Sequence, residues 1–251
     1  MKKVNIFASF FCIVLLLSSC AKTHYAVKAI ETSRIAIDST YEAKANPQMV
    51  ALVESYKKQF DAEMNEPIGT AAQALTKKYP QSLLSNFTAD AMREIANRLW
   101  GDVDFAVMNM GGLRATLNKG TITIGNMYEV YPFENRLVLL ELPGTAVKAF
   151  FDFIAFNGGQ GLSNGIRLVV KKRAVESLEI GGKPLDENKT YRVATIDFLA
   201  AGNDHMDALT QATRLIDSNE QLRNYMIEQV KNLTANNKEV DAKLDDRITI
   251  Y

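Results

Sequence analysis

Helical periodicity alternates with strand-like apolar runs from Asn46 to the end of the chain, and this alternation most limits the possible folds. Apolar residues at helical spacing predict four helices: one that Asn46 caps and Pro47 begins, Ser82–Trp100, Thr145–Phe156 and Asn219–Leu233. Short apolar runs predict strands at 103–109, 121–124, 136–142, 166–170, 177–180, 191–196 and 247–250. Because the elements follow no regular βαβ repeat, we expect an α+β fold with a mixed β-sheet and packed helices.

The first twenty residues have the pattern of an export signal. In MKKVNIFASFFCIVLLLSSC, Lys2 and Lys3 precede an apolar run too short to span a bilayer comfortably. The run ends in Leu17-Ser18-Ser19-Cys20, which resembles the bacterial lipobox, whose cysteine is lipidated and becomes the new N-terminus. The alternative is a plain signal peptide with a fortuitous cysteine.

This pattern predicts three parts of the chain: a signal peptide at 1–20, a tether with one strand at 21–45, and a domain at 46–251. Several acyl chains on Cys20 would hold the domain stably on a membrane. The segment after Cys20 lacks an acidic surface-export stretch. We therefore expect an exported protein that is lipid-anchored to a bacterial outer membrane and faces the periplasm.

The charge balance gives no support for nucleic-acid binding, because 29 Lys and Arg residues oppose 29 Asp and Glu residues. The one basic cluster, Lys171-Lys172-Arg173, lies between two strand-like runs, so it is predicted to be a hairpin turn. We expect no nucleic acid among the partners.

The stretch MNMGGLRATL, residues 108–117, follows the apolar run Val103–Val107. Ligands are often bound where strands end in mixed folds, paired glycines allow close backbone approach, and arginine offers a fork of donors for carboxylate or phosphate. A tight turn with a surface arginine explains the same spacing, so the stretch by itself decides nothing.

Four segments occur together in a recognisable order: SNFTADAMR (85–93), DFAVMNMGGLRATLNKGTIT (104–123), YPFENRLVLLELPGTAVKAFFD (131–152) and YRVATIDFLAAGNDHMDAL (191–209). Together they resemble the C-terminal domain of the 5′-nucleotidase family, from about residue 46 onward. In that family this domain grips the nucleoside, and a separate N-terminal metallophosphatase domain cleaves the phosphate with two metal ions. The resemblance implies the fold of that domain and a nucleoside or nucleotide as the ligand.

The resemblance also implies a substrate-binding set. Arg114 matches the arginine that reaches toward the nucleotide, and the turn before it would aim this side chain. The P-F-x-N motif and the turn that corresponds to the family's GGDG complete the set. The implied residues are Asn109, Gly111, Gly112, Arg114, Phe133, Asn135, Asn203, Asp204 and Met206.

Two positions depart from the family pattern as the motifs align here. The family stacks the base between two aromatic rings, one in a glycine-flanked loop and one just after the GGDG turn. Those positions fall at Gln160 and Met206. Base–aromatic stacking is worth about 1–3 kcal/mol per base, so this alignment implies weakened nucleoside binding unless Met206 or His205 compensates.

The sequence lacks the motifs of a dinuclear phosphatase. It has two histidines and no D-x-H or G-N-H-[DE] pattern, whereas two metal ions need several His and Asp ligands. We expect no metal or cofactor site in this chain and no catalysis by this chain alone. The divalent metals would belong to a partner metallophosphatase.

Gly161-Leu162-Ser163-Asn164-Gly165 matches the G-x-S-x-G nucleophile elbow, and either Asp197 or Asp204, and then His205, follow in the order of a triad. The elbow requires a strand before the serine and a helix after it, but the order here is reversed. Three hypotheses stay open: the specificity half of a split 5′-nucleotidase, a non-catalytic binding or structural lipoprotein that lost the base-stacking pocket, and a hydrolase that uses Ser163.

Overall fold

A computed structural model describes residues 26–251, which divide into two compact units with the boundary between Ala51 and Leu52. The lipobox and Cys20 lie outside the described residues. In the first unit, residues 26–37 have no regular secondary structure, and a 3₁₀ turn follows at Ser39–Lys44, capped by Asp38. The prediction of a strand within 21–45 is wrong for the described residues 26–45, which contain no strand. The large apolar side chains of this segment are exposed, so no sheet or core holds the backbone in a strand.

The first helix, α1, spans Pro47–Met64. Asn46 caps it as predicted, since its Oδ1 accepts hydrogen bonds from the backbone N–H groups of Gln48 and Met49. No helix among the described residues is long and apolar enough to cross a membrane.

Five further helices belong to the second unit: α2 (Leu83–Trp100), α3 (Ile124–Val130), α4 (Gly144–Asn157), α5 (Asp197–Ala200) and α6 (Leu222–Ala235). The helix predicted to begin at Ser82 does so, because Ser82 and Ser85 form a reciprocal capping box. Short helix α3 was not predicted, and a second capping box between Thr123 and Asn126 begins it.

Across residues 26–251, eleven strands form three sheets: β1 (Pro67–Ala71), β2 (Phe105–Met108), β3 (Gly120–Thr123), β4 (Arg136–Pro143), β5 (Gly161–Leu162), β6 (Ile166–Lys171), β7 (Ala174–Ile180), β8 (Lys183–Pro184), β9 (Thr190–Ile196), β10 (Arg214–Gln221) and β11 (Ile248–Ile250). The five-stranded sheet has the order β10-β4-β9-β2-β5, the four-stranded sheet β11-β6-β7-β8, and β1 pairs with β3. Both larger sheets are mixed, because β2 runs parallel to β9 and β11 runs parallel to β6. The predicted α+β class is confirmed.

The core lies where helices α2 and α4 pack against the five-stranded sheet. Phe105 of β2 contacts Phe150 and Phe151 of α4, with ring centroids 5.3–6.3 Å apart among the three. The predicted hairpin turn at 171–173 is confirmed by the antiparallel pairing of β6 with β7. Phe156, near the C-terminal end of α4, lies outside this core with 61% of its surface exposed.

Strand β10 corrects the prediction of a helix from Asn219. Its sequence, RLIDSNEQ, is largely polar because the strand forms the edge of the sheet, where both faces are partly exposed. The helix itself begins three residues later than predicted, at Leu222.

Candidate functional site

Three strands of the five-stranded sheet bring distant segments to one edge. Strands β2 and β9 are parallel neighbours, so their carboxyl ends lie together, and antiparallel β4 begins at the same edge. The segments there are the turn after β2, the loop before β4 and the loop after β9. In mixed sheets, ligands bind in the crevice outside the carboxyl ends of parallel strands.

A cavity of about 240 Å³ opens at this edge. It is lined by Asn109, Gly111, Gly112, Arg114, Phe133, Asn135, Phe198 and Asp204. Seven of the nine residues implied by the sequence therefore meet at one cavity, and Phe198 is an addition. Asn203 and Met206 do not line it.

The turn after β2 is a single 3₁₀ turn, Met110–Gly112. The N–H of Gly112 donates to the carbonyl of Asn109 at 3.1 Å. A Cβ atom on Gly112 would lie 2.7 Å from Asn109 Oδ1, so a larger residue would push this amide aside. The glycine therefore allows Asn109 to fold back over its own turn.

Asn109 is 95% buried and is tied to the loop after β9, because its Nδ2 donates to Asp204 Oδ2 at 2.5 Å. Among the described residues, its Oδ1 has no hydrogen-bond partner, which leaves a buried acceptor at the cavity. Asp204 has a left-handed backbone, with φ 56°, and so does His205, with φ 59°. Non-glycine residues hold such conformations at a cost, and strained positions of this kind cluster at binding sites.

Arg114 supplies the positive charge of the cavity. Its backbone N–H donates to the carbonyl of Val130, and its Nη1 donates to the carbonyl of Gly111 at 3.3 Å. The guanidinium carbon lies 5.9 Å from the centroid of the Phe133 ring. Within the part of the chain that the structure describes, Arg114 forms no ion pair, so its exposed guanidinium is free to bind an anion.

Two aromatic rings line the cavity, which corrects the expectation that both rings are lost. Phe133 precedes β4 and Phe198 lies in α5, just after β9, and their exposed fractions are 47% and 38%. Met206 is 1% exposed and belongs to the hydrophobic core, while the side chain of Gln160 is directed at the backbone of Met110.

The sequence alone does not place Phe198 at the cavity, because its position depends on the pairing of the strands. It is a large apolar residue in the segment Thr195-Ile196-Asp197-Phe198, directly after a strand whose parallel neighbour carries the Asn109 turn. Asn203 lies outside the cavity lining but holds the backbone of Phe198, because Asn203 Nδ2 donates to the Phe198 carbonyl at 2.9 Å.

The loop that carries Phe133 and Asn135 is held by hydrogen bonds at its C-terminal end. The N–H of Leu222 donates to the Asn135 carbonyl at 2.8 Å. Arg136, the first residue of β4, forms ion pairs with Asp197 at 3.3 Å and Asp217 at 3.0 Å. The pair with Asp197 connects the loop before β4 to the segment after β9, so two walls of the cavity are joined.

Ser163 does not have the environment of a nucleophile. Its side chain is fully buried, and its Oγ accepts a hydrogen bond from the N–H of Ala106 on β2 at 2.9 Å. His205 is exposed on a surface loop. A buried hydroxyl that supports a strand is badly placed to attack a substrate, so the structure argues against the hypothesis of a hydrolase that uses Ser163.

The described residues do not fit a dinuclear metal site. They contain no group of three or more His, Cys, Asp or Glu side chains that could hold a metal ion. The cavity itself offers one carboxylate, Asp204, beside neutral amides and a cation. This donor set suits an organic ligand with a flat ring, hydroxyl groups and an anionic group.

Comparison with known proteins identifies the family of this chain. The family model described as "5′-nucleotidase, C-terminal domain" matches residues 64–211. The chain is 32% identical over 174 residues to protein UshA of Yersinia enterocolitica, an alignment that covers 66% of this chain and 31% of that protein. It is 29% identical over 230 residues to the trifunctional nucleotide phosphoesterase protein YfkN of Bacillus subtilis, which covers 81% of this chain and 15% of that protein.

Among solved structures, the 5′-nucleotidase precursor of Thermus thermophilus superposes with a TM-score of 0.71 at 28% identity. The superposition covers 80% of this chain and 42% of that chain. The chain spans about a third of the length of the curated UshA relatives. Since the family model matches more than half of the residues, the chain belongs to the family of proteins with a 5′-nucleotidase C-terminal domain.

Proposed function

We propose that this chain is the nucleotide- or nucleoside-binding specificity domain of a split 5′-nucleotidase, and that it acts in nucleotide catabolism with a separate metallophosphatase subunit. One observation carries the proposal. Two half-exposed aromatic rings, an exposed arginine and a carboxylate–amide pair line a single cavity at the sheet edge. A nucleoside monophosphate offers a flat base, ribose hydroxyls and a phosphate, which are the matching groups.

Each side chain then has a role in binding. Phe133 and Phe198 would contact the faces of the base, since every base has a π-face for stacking. Asp204 Oδ atoms and the Oδ1 of Asn109 would accept hydrogen bonds from ribose hydroxyls. Arg114 would hold the phosphate by charge-assisted hydrogen bonds. Hydrolysis would be carried out by the partner, which would supply the divalent metals.

The uncovered face of α1 supports a protein partner. Val53, Tyr56 and Phe60 lie on one face of this helix, and more than half of each side chain is exposed. Short isolated helices are marginally stable in water, so an apolar face of this kind gains stability when it is covered. The family model describes a C-terminal domain and its match begins at residue 64, where α1 ends, so α1 lies on the N-terminal side of the matched domain.

We further propose that Cys20 is lipidated and anchors the chain to the outer membrane, facing the periplasm. A partner on the same membrane would meet the domain at a high effective concentration without a covalent linker. Replacement of Cys20 by serine should release the protein from the membrane fraction and abolish incorporation of labelled palmitate. Retention of both would refute lipidation at this cysteine.

Isothermal titration calorimetry of the purified domain tests the binding half of the proposal. A panel of nucleosides, nucleoside monophosphates and ribose 5-phosphate would be titrated into the wild type and Arg114→Ala. We expect nucleoside monophosphates to bind most tightly and to lose this advantage in the variant. If no member of the panel binds, the nucleotide-binding function is wrong.

Affinity capture of the lipoprotein from detergent-solubilised membranes tests the partner half. The eluate would be assayed for release of phosphate from nucleoside monophosphates that depends on a divalent metal. Activity should co-purify with the wild type and be lost with the double variant Tyr56→Ser/Phe60→Ser. Phe156→Ser, at an equally exposed ring elsewhere, is the matched control. Nucleotide binding without a captured phosphatase would favour the second hypothesis, a non-catalytic binding lipoprotein.

A further inference from the structure

We propose that Gln160 is a positioning residue for the nucleotide cavity: its side-chain carbonyl caps the turn that presents Asn109 and Arg114. This inference rests on the proposed nucleotide-binding function, but one of its tests does not require a ligand. Gln160 lies outside the cavity lining, on the loop between α4 and β5, so its effect must pass through the turn.

The first step of the argument is a missing hydrogen bond at the start of the turn. The first N–H groups of a helical turn have no partner within it, and a side-chain acceptor normally satisfies one of them. The residue at the capping position, Asn109, makes no such bond, because its side chain is turned toward Asp204. The N–H of Met110, which is 99% buried, is therefore in need of an acceptor.

Gln160 supplies that acceptor from a distant part of the chain. Its Oε1 accepts the hydrogen bond from Met110 N at 2.9 Å, and Gln160 is 92% buried. A buried N–H without a partner is costly, whereas a satisfied one holds its segment in place. Asn109 is thus free to use its own amide at the cavity because Gln160 caps the turn in its stead.

The loop that carries Gln160 is itself firmly seated. Gly159 has a φ of +113°, and a Cβ atom at this position would overlap the backbone of Pro80. On its other side, Gly161 and Leu162 pair with Met108 and Val107 as β5 against β2. Gln160 is held between these two contacts, so its side-chain carbonyl, Oε1, reaches the turn from a fixed position.

Ser163, directly after β5, provides a matched control. It too is a buried side chain that accepts a hydrogen bond from a backbone N–H of the β2 segment, at Ala106 and the same distance of 2.9 Å. Ala106 lies inside β2, three residues before Asn109, whereas Met110 begins the turn. Gln160→Met and Ser163→Ala therefore each remove one buried acceptor, but only the first uncaps the turn.

The binding test compares these two variants with the wild type by calorimetry against a nucleoside monophosphate. We expect Kd to rise roughly tenfold in Gln160→Met and to stay within about twofold in Ser163→Ala, since an uncapped buried amide has that order of effect on the ordered turn. Gln160→Glu keeps the acceptor oxygen and should restore most of the affinity. Equal Kd changes in Gln160→Met and Ser163→Ala, or no change in either, would overturn the proposal.

Hydrogen exchange of the ligand-free protein gives the second, independent readout. Exchange at residues 109–114 should accelerate in Gln160→Met but not in Ser163→Ala, with thermal unfolding measured for both to account for global stability. Unchanged exchange in this segment would refute the role of Gln160 even if nucleotides bind. Failure of the wild type to bind nucleotides would instead refute the proposed function and leave this exchange result to decide the structural role.

Discussion

Removal of the ring of Phe198 should weaken nucleoside binding without harming the fold. The side chain is 38% exposed and lies in a four-residue helix after β9, so Phe198→Ala removes a cavity wall rather than a core residue. A stacked base is worth about 1–3 kcal/mol, which corresponds to a roughly 5- to 150-fold increase in Kd. Phe133→Ala should have an effect of the same order, and it also removes the ring near Arg114.

The assay is calorimetric titration with adenosine, adenosine monophosphate and ribose 5-phosphate. Because ribose 5-phosphate has no base, its affinity should be unchanged in Phe198→Ala, whereas the two adenine compounds should lose affinity together. Phe156→Ala serves as the control, since Phe156 is exposed, lies outside the cavity and also faces a guanidinium, at 5.5 Å. Equal losses for ribose 5-phosphate and adenosine, or an unchanged affinity for adenosine in both cavity variants, would refute the stacking argument.

The remaining predictions concern charged and titratable groups. Arg114→Ala should lower the affinity for nucleoside monophosphates by about 10- to 100-fold and leave nucleosides nearly unaffected, and calorimetry with equal losses for both would contradict phosphate binding. Arg247→Met should reduce the free energy of unfolding by about 2–4 kcal/mol in urea titrations, because the buried guanidinium binds the partly exposed Asp90 and Asp245. A reduction below about 1 kcal/mol would contradict this prediction. The hydrogen bond from Arg247 lowers the pKa of Asp245 below its ordinary 3.8, so the stabilisation that ionised Asp245 gives is present above pH 3.8 and is lost as the pH falls below it. In urea titrations, Asp245→Asn should therefore lose less stability on acidification than the wild type, and an equal loss would refute the linkage. Burial raises the pKa of Tyr131 above its ordinary 10.0, so stability should fall as pH rises beyond 10, and Tyr131→Phe should remove that part of the fall; an unchanged alkaline profile would count against it.

Most of the fold was predictable because its elements carry local signals. Apolar periodicity identified α2 and α4, and short, mostly apolar runs identified β2, β4 and β9. Two of the missed elements lack those signals. Strand β10 is a polar edge strand, and β5 is two residues long and is defined only by its pairing with β2.

The cavity residues were predictable where one short motif contains both the lining side chains and the turn that positions them. Asn109, Gly112 and Arg114 stand within six consecutive residues, so the turn that assembles them is local. Met206, which the resemblance placed in the binding set, does not line the cavity, and there is a physical reason. A methionine directly after two left-handed residues, Asp204 and His205, is turned inward by the loop and joins the core instead of facing the cavity.

The P-F-x-N motif implied Phe133, but Phe198 could not be placed beside it without the sheet order. Phe133 and Phe198 are 65 positions apart in the sequence, and neither follows a glycine-rich turn. They meet because β4 pairs antiparallel with β9, with Leu137 opposite Ile196, so that the residues just before β4 and just after β9 share one edge. Under the proposed function, contact of both rings with one base therefore depends on this register. A variant that shifts the register while it keeps both rings would therefore be expected to lose base affinity as completely as removal of a ring does.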